Sequence, residues 1–432
     1  MRDRAHRALD RVKSSTLALS LVISAVVVGS GVSITGGPST RVATSVGLSG
    51  VSGDSNAPST NLGVITTITT GGTYFGAYDR VNGYLYITGG YASNFVDVIN
   101  GTSLVAQVRV GSSPTWVAVD PVSGDAYVVN YNSRNVSVID GTSLVTSLPV
   151  GFFPSEILYD DYNGWLYVTN LGSANVSVIR GTSVLAAIPV GASPFGETLS
   201  NSPGNVYVSN GGSSNVSVIN GLFVEATIPV GAAPATGVFG PLGAYVYIPN
   251  SGSGNVSVIS GDSVVASIPV PQTVTPGFTA VADNSGSVYV TGGGSAISEI
   301  SGVRVEATIN VGSGPIFATY DPENGFLYVP NSGSHNLSIV NGASVVATIA
   351  TGSMPFYAVY DPADGYVYVT DATNDNLLVI GVLPPSSAGT PWWVYAAIGA
   401  GAAIVAGGVV IALTRRKRRK EAPASPEVSR TS

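Results

Sequence analysis

The stretch Trp165-Leu166-Tyr167-Val168-Thr169-Asn170 is the clearest copy of a pattern that occurs eight times along this sequence, and the spacing of the copies indicates the fold. The tyrosines of successive copies lie 41, 40, 40, 40, 42, 39 and 40 residues apart. A fixed period of this kind indicates a repeat in which each unit buries its apolar surface against its neighbours. The eight tyrosines are Tyr86, Tyr127, Tyr167, Tyr207, Tyr247, Tyr289, Tyr328 and Tyr368.

The composition of each unit predicts strands. Runs rich in Val, Ile, Thr and Tyr alternate with Gly, Asn, Asp and Pro, which is typical of short strands joined by turns. The third copy divides into strand A (155–160), strand B (165–170), strand C (175–179) and strand D (184–190). Dipeptides such as Asp140-Gly141 between strands C and D predict tight hairpins. Four antiparallel strands in about 40 residues correspond to one propeller blade.

The repeat also resembles a known family. Leu166-Tyr167-Val168-Thr169-Asn170, followed by Asn175-Val176-Ser177-Val178-Ile179, is similar to the YVTN β-propeller repeat of archaeal and bacterial surface-layer and secreted proteins. The resemblance covers roughly residues 62–380, although the copies at Tyr86, Tyr247 and Tyr289 depart from the pattern after the tyrosine. It implies a propeller and a role at a prokaryotic cell surface.

The strand count predicts an all-β propeller of eight four-stranded antiparallel blades over residues 62–380. The chain enters with residues 63–70, which match strand D of later copies, and it leaves after strand C of the last copy at 376–380. Pairing of the first strand with the last would complete the eighth blade and remove an open sheet edge. Seven blades, the commoner number in the resembling family, remain the alternative.

Both ends of the chain predict a connection to a membrane. Residues 1–34 join a basic start to an uncharged run and indicate a signal peptide or a signal anchor. Residues 35–61 are interpreted as a linker, and residues 381–391 as a second, short one. Residues 392–414 carry no charge, begin with a Trp pair and precede the basic cluster of a tail at 415–432. This pattern predicts a transmembrane helix with a cytoplasmic C-terminus and an extracellular propeller.

Charge and composition exclude several classes of function. Residues 35–391 contain six arginines, no lysine and 21 carboxylates, a formal charge of −15 that disfavours nucleic-acid binding. The chain has no cysteine and only His6 and His335, so thiolate chemistry and multi-histidine metal sites are excluded. We therefore expect no cofactor and no metal.

Aspartates recur at one register, the end of strand A. Repeated carboxylates of this kind are candidate calcium ligands. The alternative, which we prefer, is that each side chain caps its own turn. The residues are Asp79, Asp120, Asp160, Asp283, Asp321 and Asp361.

Sequons recur as well, and five of the six stand at the start of strand C. On an exported chain they are candidate glycosylation sites. Turn chemistry copied with the repeat explains them equally well. The sequon asparagines are Asn100, Asn135, Asn175, Asn215, Asn255 and Asn336.

Aromatic residues and two glutamates that the repeat does not conserve cluster near the start of strand A. Apolar concave surface with nearby carboxylates is typical of a ligand site at the mouth of a channel. Packing between blades is the alternative role for the rings. The candidate ligand-binding residues are Trp116, Glu156, Phe195, Glu197, Phe317, Phe356 and Tyr357.

These observations predict a membrane-anchored extracellular propeller that acts as a surface-layer-like, adhesion or ligand- and protein-binding module. Its expected partners are the membrane, cell-surface glycans and surface-layer proteins. No spacing singles out a catalytic pair, so we expect the protein not to be an enzyme. The rival hypothesis is a hydrolase of a sugar or lactone that uses propeller carboxylates.

Overall fold

The computed structural model describes residues 61–200, 204–240, 242–271, 276–283 and 285–383. These residues form eight four-stranded antiparallel sheets, which confirms the all-β propeller with eight blades and excludes the alternative of seven. The segments predicted as signal, span and tail, and nearly all of both linkers, lie outside the described residues. Within the described ranges, no helix has the length and apolar character needed to cross a membrane.

The first four blades follow one another in chain order. In each, strands A to D run in sequence, with A innermost. Blade 1 contains β2 (Gly76–Tyr78), β3 (Leu85–Thr88), β4 (Phe95–Asn100) and β5 (Ser103–Arg109). Blade 2 contains β6 (Pro114–Val119), β7 (Asp125–Asn130), β8 (Asn135–Asp140) and β9 (Ser143–Pro149). Blade 3 contains β10 (Pro154–Asp160), β11 (Trp165–Asn170), β12 (Asn175–Arg180) and β13 (Ser183–Pro189). Blade 4 contains β14 (Pro194–Leu199), β15 (Asn205–Asn210), β16 (Asn215–Asn220) and β17 (Phe223–Pro229).

The remaining blades repeat this order, and the last borrows its outer strand from the start of the chain. Blade 5 contains β18 (Val238–Gly240), β19 (Tyr245–Asn250), β20 (Asn255–Ser260) and β21 (Ser263–Pro269). Blade 6 contains β22 (Pro276–Ala282), β23 (Val288–Gly292), β24 (Ala296–Ser301) and β25 (Arg304–Asn310). Blade 7 contains β26 (Thr319–Asp321), β27 (Phe326–Asn331), β28 (Asn336–Asn341) and β29 (Ser344–Ala350). Blade 8 contains β30 (Pro355–Asp361), β31 (Tyr366–Asp371), β32 (Asn376–Val382) and, as its outer strand, β1 (Leu62–Thr69).

The ring closes by pairing the two ends of the propeller. Strand β1 runs antiparallel to β32, with Leu62 opposite Val382 and Thr69 opposite Asn376. Beyond the ladder, the backbone N–H of Leu383 donates to the carbonyl oxygen of Asn61 at 2.7 Å. The predicted closure is confirmed, and it removes the free edge that β32 would otherwise present.

The repeated tyrosine fastens neighbouring blades. It is buried in every copy, and in five copies its hydroxyl donates to a glycine carbonyl oxygen in the C–D turn of the next blade. A buried phenol needs such a partner, because an unpaired hydroxyl would cost free energy. The five pairs are Tyr86 with Gly141, Tyr167 with Gly221, Tyr207 with Gly261, Tyr247 with Gly302 and Tyr368 with Gly101.

The aspartates at the end of strand A cap the A–B turns. Oδ1 of Asp79, for example, accepts a hydrogen bond from the backbone N–H of Val81 at 2.7 Å, and Asp361 accepts one from Ala363 at 2.8 Å. A side chain bonded to its own backbone two residues on is an Asx turn. The described residues contain no cluster of three or more His, Cys, Asp or Glu that could hold a metal ion.

The connections divide between two faces of the ring. The D–A turn before blade 2 bonds to the B–C loop of blade 1, since the N–H of Ser113 donates to the carbonyl oxygen of Ser93 at 2.9 Å. It also accepts from the B–C loop of blade 2, through the N–H of Tyr131. We call the side with the D–A and B–C connections the loop face. The side with the A–B and C–D turns is the turn face, where β1 begins and β32 ends.

Candidate functional site

The inner ends of the A strands meet around the axis of the ring and form the candidate site. The register four residues before the turn aspartate contributes Phe75, Trp116, Glu156, Phe317 and Tyr357 from blades 1, 2, 3, 7 and 8. The equivalent residues are Gly196 in blade 4 and Thr236 in blade 5. Because the A strands are the innermost, this register and the residues directly beside it, such as Glu197 and Phe356, determine the chemistry of the centre.

One side of the centre is aromatic, and we call its rings the central cluster. The ring of Phe75 lies 3.8 Å from that of Trp116 and 4.9 Å from that of Phe317, measured between centroids. It also contacts Phe356 at 5.5 Å and Tyr357 at 5.1 Å. Trp116 and Tyr357 are half-buried, while the other three rings are buried. Part of the aromatic surface therefore remains open to solvent.

The other side of the centre carries two carboxyl groups. Glu156 and Glu197 belong to adjacent blades and are both buried, with exposed fractions of 5% and 3%. The hydroxyl of Thr236 donates to Oε2 of Glu156 at 2.8 Å. Between these residues stands Gly196, where a Cβ atom would lie 2.3 Å from the Thr236 Oγ1 atom. The glycine therefore leaves the space in which Glu156 of blade 3 reaches Thr236 of blade 5.

Burial raises the pKa of both carboxyl groups, because the charged form is poorly solvated in the interior. It raises the pKa of Glu156 to about 8, and the hydrogen bond from Thr236 offsets part of the rise. Burial, followed by the negative charge of Glu156, raises the pKa of Glu197 well above its ordinary value. Burial also raises the pKa of Tyr357 to about 12, with a smaller contribution from the charge of Glu156. The carboxyl pair can therefore carry protons at neutral pH and release them to a base or to a competing cation.

Most of the predicted ligand-binding residues come together here. Trp116, Phe317, Phe356 and Tyr357 all belong to the central cluster, and Tyr357 lies near enough to Glu156 to feel its charge. Phe195 does not join that cluster. It is half-buried on the carboxyl side, and its carbonyl oxygen accepts a hydrogen bond from Thr169 Oγ1 at 3.3 Å. Several of the rings also pack between neighbouring blades. The buried rings therefore have the structural role that the sequence analysis gave as the alternative.

A second group of rings continues from the centre across the loop face, and apart from Tyr74, which lies near the start of strand A, the sequence analysis did not identify its members. We call it the aromatic arc, and it consists of Tyr74, Tyr91, Tyr131, Phe152 and Phe153. Tyr74 stacks on Phe356 at 4.5 Å and contacts Tyr91 at 5.6 Å. Tyr91 then contacts Tyr131 at 5.4 Å, and Tyr131 stacks on Phe153 at 5.0 Å. The arc thus crosses blades 1 to 3.

The outer part of the arc is exposed to solvent. Tyr91 is 45% exposed and Phe152 is 49% exposed. The guanidinium carbon of Arg134 lies 4.1 Å from the centroid of the Phe152 ring, a cation–π geometry. Departure from the repeat could have revealed these residues, because Phe152-Phe153 replaces pairs such as Ser112-Ser113 and Ala192-Ser193 in other copies.

The asparagines of five sequons take part in the fold. In each of these blades the last asparagine of strand B donates to the Oδ1 atom of the sequon asparagine and to the Oγ atom of the sequon serine. In blade 3, Asn170 donates to Asn175 at 2.8 Å and to Ser177 at 2.9 Å. The equivalent donors are Asn130, Asn210, Asn250 and Asn331. This network gives the repeated motif a structural role, and glycosylation of the asparagines stays a prediction.

Comparison with known proteins identifies the fold of this chain but assigns it to no family. No family model matches the chain, and no curated protein matches it. Among solved structures, the C-terminal WD40 domain of Sif2 is similar with a TM-score of 0.61 and 8% identity, covering 76% of this chain and 99% of that chain. BamB from Moraxella catarrhalis is similar with a TM-score of 0.59 and 12% identity, covering 74% and 99%. At these identities the likeness shows the propeller fold alone.

A third similar structure corrects the expectation that this protein is not an enzyme. Hydrazine synthase from Kuenenia stuttgartiensis matches with a TM-score of 0.52 and 19% identity, covering 75% of this chain and 98% of that chain. A propeller fold with repeated blades therefore occurs in an enzyme. The expectation was wrong because it took the absence of a motif as evidence about activity, and function on a propeller depends on the site.

Proposed function

We propose that this protein is a membrane-anchored binding module of the YVTN propeller type, displayed on a prokaryotic cell surface, which binds neutral glycans on its loop face. The observation that carries the proposal is the aromatic arc. Contiguous exposed aromatic surface on a folded protein marks an interaction site. Tyrosine and phenylalanine rings present flat apolar faces, and tyrosine adds a polar hydroxyl. Such faces suit the C–H surfaces of sugar rings.

The distribution of charge supports a neutral ligand. Among the described residues, the charged residues in or beside the D–A and B–C connections are Arg109, Arg134, Asp371 and Asp375. The turn face, in contrast, carries twelve carboxylates in or beside its A–B and C–D turns. Asparagine and serine are abundant in the B–C loops, as in Asn132-Ser133, and supply uncharged donors and acceptors for sugar hydroxyls. An anionic polymer would find few cationic partners on this face.

The chain ends support an outward-facing loop face. Asn61 and Leu383 are hydrogen-bonded neighbours at the turn face, and only eight residues separate Leu383 from the predicted membrane span at 392–414. A segment of this length reaches at most about 30 Å when fully extended. With that span inserted, the turn face would look toward the bilayer and the aromatic arc would look away from it.

A hydrolase of a sugar or lactone is the second candidate. It is favoured by the carboxyl pair, because a carboxyl group with a raised pKa is suited to donate a proton near neutral pH. Incubation of the full-length protein with a panel of lactones and glycosides tests this candidate. Turnover that is lost in both Glu156→Gln and Glu197→Gln would support it, and no turnover would reject it.

A glycan array tests the binding function directly. The full-length protein, purified in a mild detergent, should bind a subset of neutral oligosaccharides and leave sulfated and sialylated glycans unbound. Detection of bound protein through a C-terminal tag keeps the loop face free. Binding restricted to anionic glycans, or no binding across the array, would contradict the proposal.

A further inference from the structure

We propose that the centre of the ring binds a small organic cation, whose ammonium group sits between the carboxyl groups of Glu156 and Glu197 on one side and the central cluster of aromatic rings on the other. The proposal concerns a different ligand and a different place from the glycan surface of the aromatic arc. A test of this proposal therefore does not depend on whether the proposed glycan binding is correct.

The first argument is the unpartnered carboxyl group of Glu197. The residue is 3% exposed, and among the described residues neither of its oxygens makes a hydrogen bond of good geometry. The Thr169 hydroxyl lies close enough to offset part of the rise in its pKa. The one described salt bridge, between Arg304 and Glu306, lies elsewhere. A buried polar group left without a partner costs on the order of 1–3 kcal/mol, and buried carboxylates are normally paired with a cation. An ammonium group would supply the ionised form of Glu197 with the well-aligned partner that the described side chains do not give it.

The second argument is the aromatic wall that faces the carboxyl pair. Trp116 and Tyr357 present half-buried rings, their centroids are 6.5 Å apart, and Phe75 and Phe317 pack behind them. The faces of aromatic rings attract ammonium groups within about 6 Å of the centroid, and most strongly in sites removed from water. Glu156 and Tyr357 are close enough for the glutamate charge to act on the phenol. Carboxyl groups and rings therefore belong to one site.

The ligand set favours an organic cation over a metal ion. Calcium takes six to eight oxygen ligands. Here two carboxyl groups come together, without the third His, Cys, Asp or Glu that a metal cluster of the described residues would contain, and the opposite wall is aromatic. A ligand with an ammonium head and an apolar surround would satisfy both halves. Aromatic cages combined with acidic groups recognise alkylated ammonium ions in this way.

Competition with protons gives the site a measurable signature. The cation requires ionised carboxylates, which bear protons at neutral pH because burial raises their pKa. Binding must therefore release protons, and the affinity must rise with pH until the pair is ionised. A site that merely shares protons between two acids would bind no cation at any pH.

Titration calorimetry of the full-length protein with tetramethylammonium and with butylammonium, at pH 6.0 and pH 8.5, tests the proposal. We expect at least one of the two to bind at least tenfold more tightly at the higher pH, with proton release seen as a dependence on buffer ionisation enthalpy. Glu197→Gln and Trp116→Leu should each weaken binding at least tenfold. The exposed turn-face variant Glu323→Gln should leave it unchanged.

Three results would overturn the proposal. The first is the absence of binding by both ammonium ions at pH 8.5. The second is binding that neither Glu197→Gln nor Trp116→Leu weakens. The third is equally tight binding of potassium or calcium ions, which would assign the site to an inorganic cation. Since Glu197→Gln could perturb folding, quenching of Trp116 fluorescence on titration of the wild-type protein provides an independent readout, compared with Trp165→Phe and Trp116→Phe.

Discussion

The hydroxyl of Thr236 donates a hydrogen bond of 2.8 Å to Oε2 of Glu156, and so links blade 5 to blade 3 across 80 residues of sequence. The link passes over blade 4, where Gly196 presents no side chain. A propeller held together only by contacts between adjacent blades would not contain such a bond. The centre of this ring is therefore a cooperative polar cluster, and its stability should respond to single substitutions and to pH.

Removal of the Thr236 hydroxyl tests this bond. Thr236→Val keeps the shape of the side chain and takes away the donor, so the free energy of unfolding should fall by about 1 kcal/mol at pH 5 and by about 1.5–3 kcal/mol at pH 9, where Glu156 is ionised. Thr115→Val is the matched control, because the Thr115 hydroxyl is also buried but has no partner among the described residues. Urea unfolding of the two variants gives the comparison, and equal losses would contradict the account.

The raised pKa values predict a stability that decreases as pH rises. Burial raises the pKa of Glu156 and of Glu197, so the folded state holds more protons than the unfolded state above the ordinary value of 4.5. Stability is full below that value and is lost as pH rises toward the raised pKa of each group, which is about 8 for Glu156, by up to about 1.4 kcal/mol per pH unit for each group.

Urea unfolding at pH 5, 7 and 9 measures this slope. Glu156→Gln and Glu197→Gln should each make it shallower, because an amide does not titrate. The raised pKa values of the turn aspartates act with the same sign, so the comparison between variant and wild type isolates the central pair. An unchanged slope between pH 7 and pH 9 in both variants would argue against a buried, protonated pair.

The bond from a repeated tyrosine to the next blade predicts a modest loss of stability on its removal. Tyr167→Phe deletes the hydroxyl that donates to the Gly221 carbonyl oxygen at 3.2 Å, and should cost about 0.5–1.5 kcal/mol. Tyr162→Phe, at a residue that is 71% exposed in an A–B turn, should cost nothing measurable. Thermal unfolding of both proteins compares them, and similar melting temperatures for the two variants would show that the buried bond contributes little.

Closure of the ring by β1 predicts a large effect of deleting that strand. Loss of residues 62–69 exposes the edge of β32 and the side of its sheet against which Ile68 is buried. The free energy of unfolding should fall by at least about 3 kcal/mol, as for a severe core truncation, and the open edge should promote dimers.

Deletion of eight residues from the predicted linker, 45–52, is the control of equal length. Size-exclusion chromatography and urea unfolding follow both proteins. A monomeric β1 deletion with the stability of the wild type would mean that the eighth blade does not depend on its borrowed strand.

The architecture was predictable because its signals are local and repeated. The spacing of residues such as Tyr167 and Tyr207 defined the blades, and the unmatched strand at 63–70 predicted the closure seen between Leu62 and Val382. Even single strands were close: B in the third copy was predicted at 165–170 and is Trp165–Asn170. A strand predicted from one short segment can be wrong, but the same pattern in eight copies makes the assignment of strands much more secure.

The site was only partly predictable, because it is built from residues that depart from the repeat and from a glycine that has no side chain. Glu156 and Glu197 stood out as unrepeated carboxylates, but their meeting with Thr236 depends on Gly196, which has no chemical group to attract notice. Tyr91 lies in a B–C loop of irregular length, so its place beside Tyr131 follows from the closed ring and not from a register. Phe195 matched the aromatic pattern of strand A, yet it stands apart from the central cluster.

The most direct test of the central claim, that the loop face binds neutral glycans through the aromatic arc, is calorimetric titration of an oligosaccharide identified on the array. The full-length wild type is compared with the triple variant Tyr91→Ser, Tyr131→Ser, Phe152→Ser and with Tyr162→Ser, which removes an exposed tyrosine from the turn face. We predict at least a tenfold loss of affinity in the triple variant and an unchanged Kd in Tyr162→Ser. Full affinity in the triple variant, with its fold intact by circular dichroism, would contradict the account.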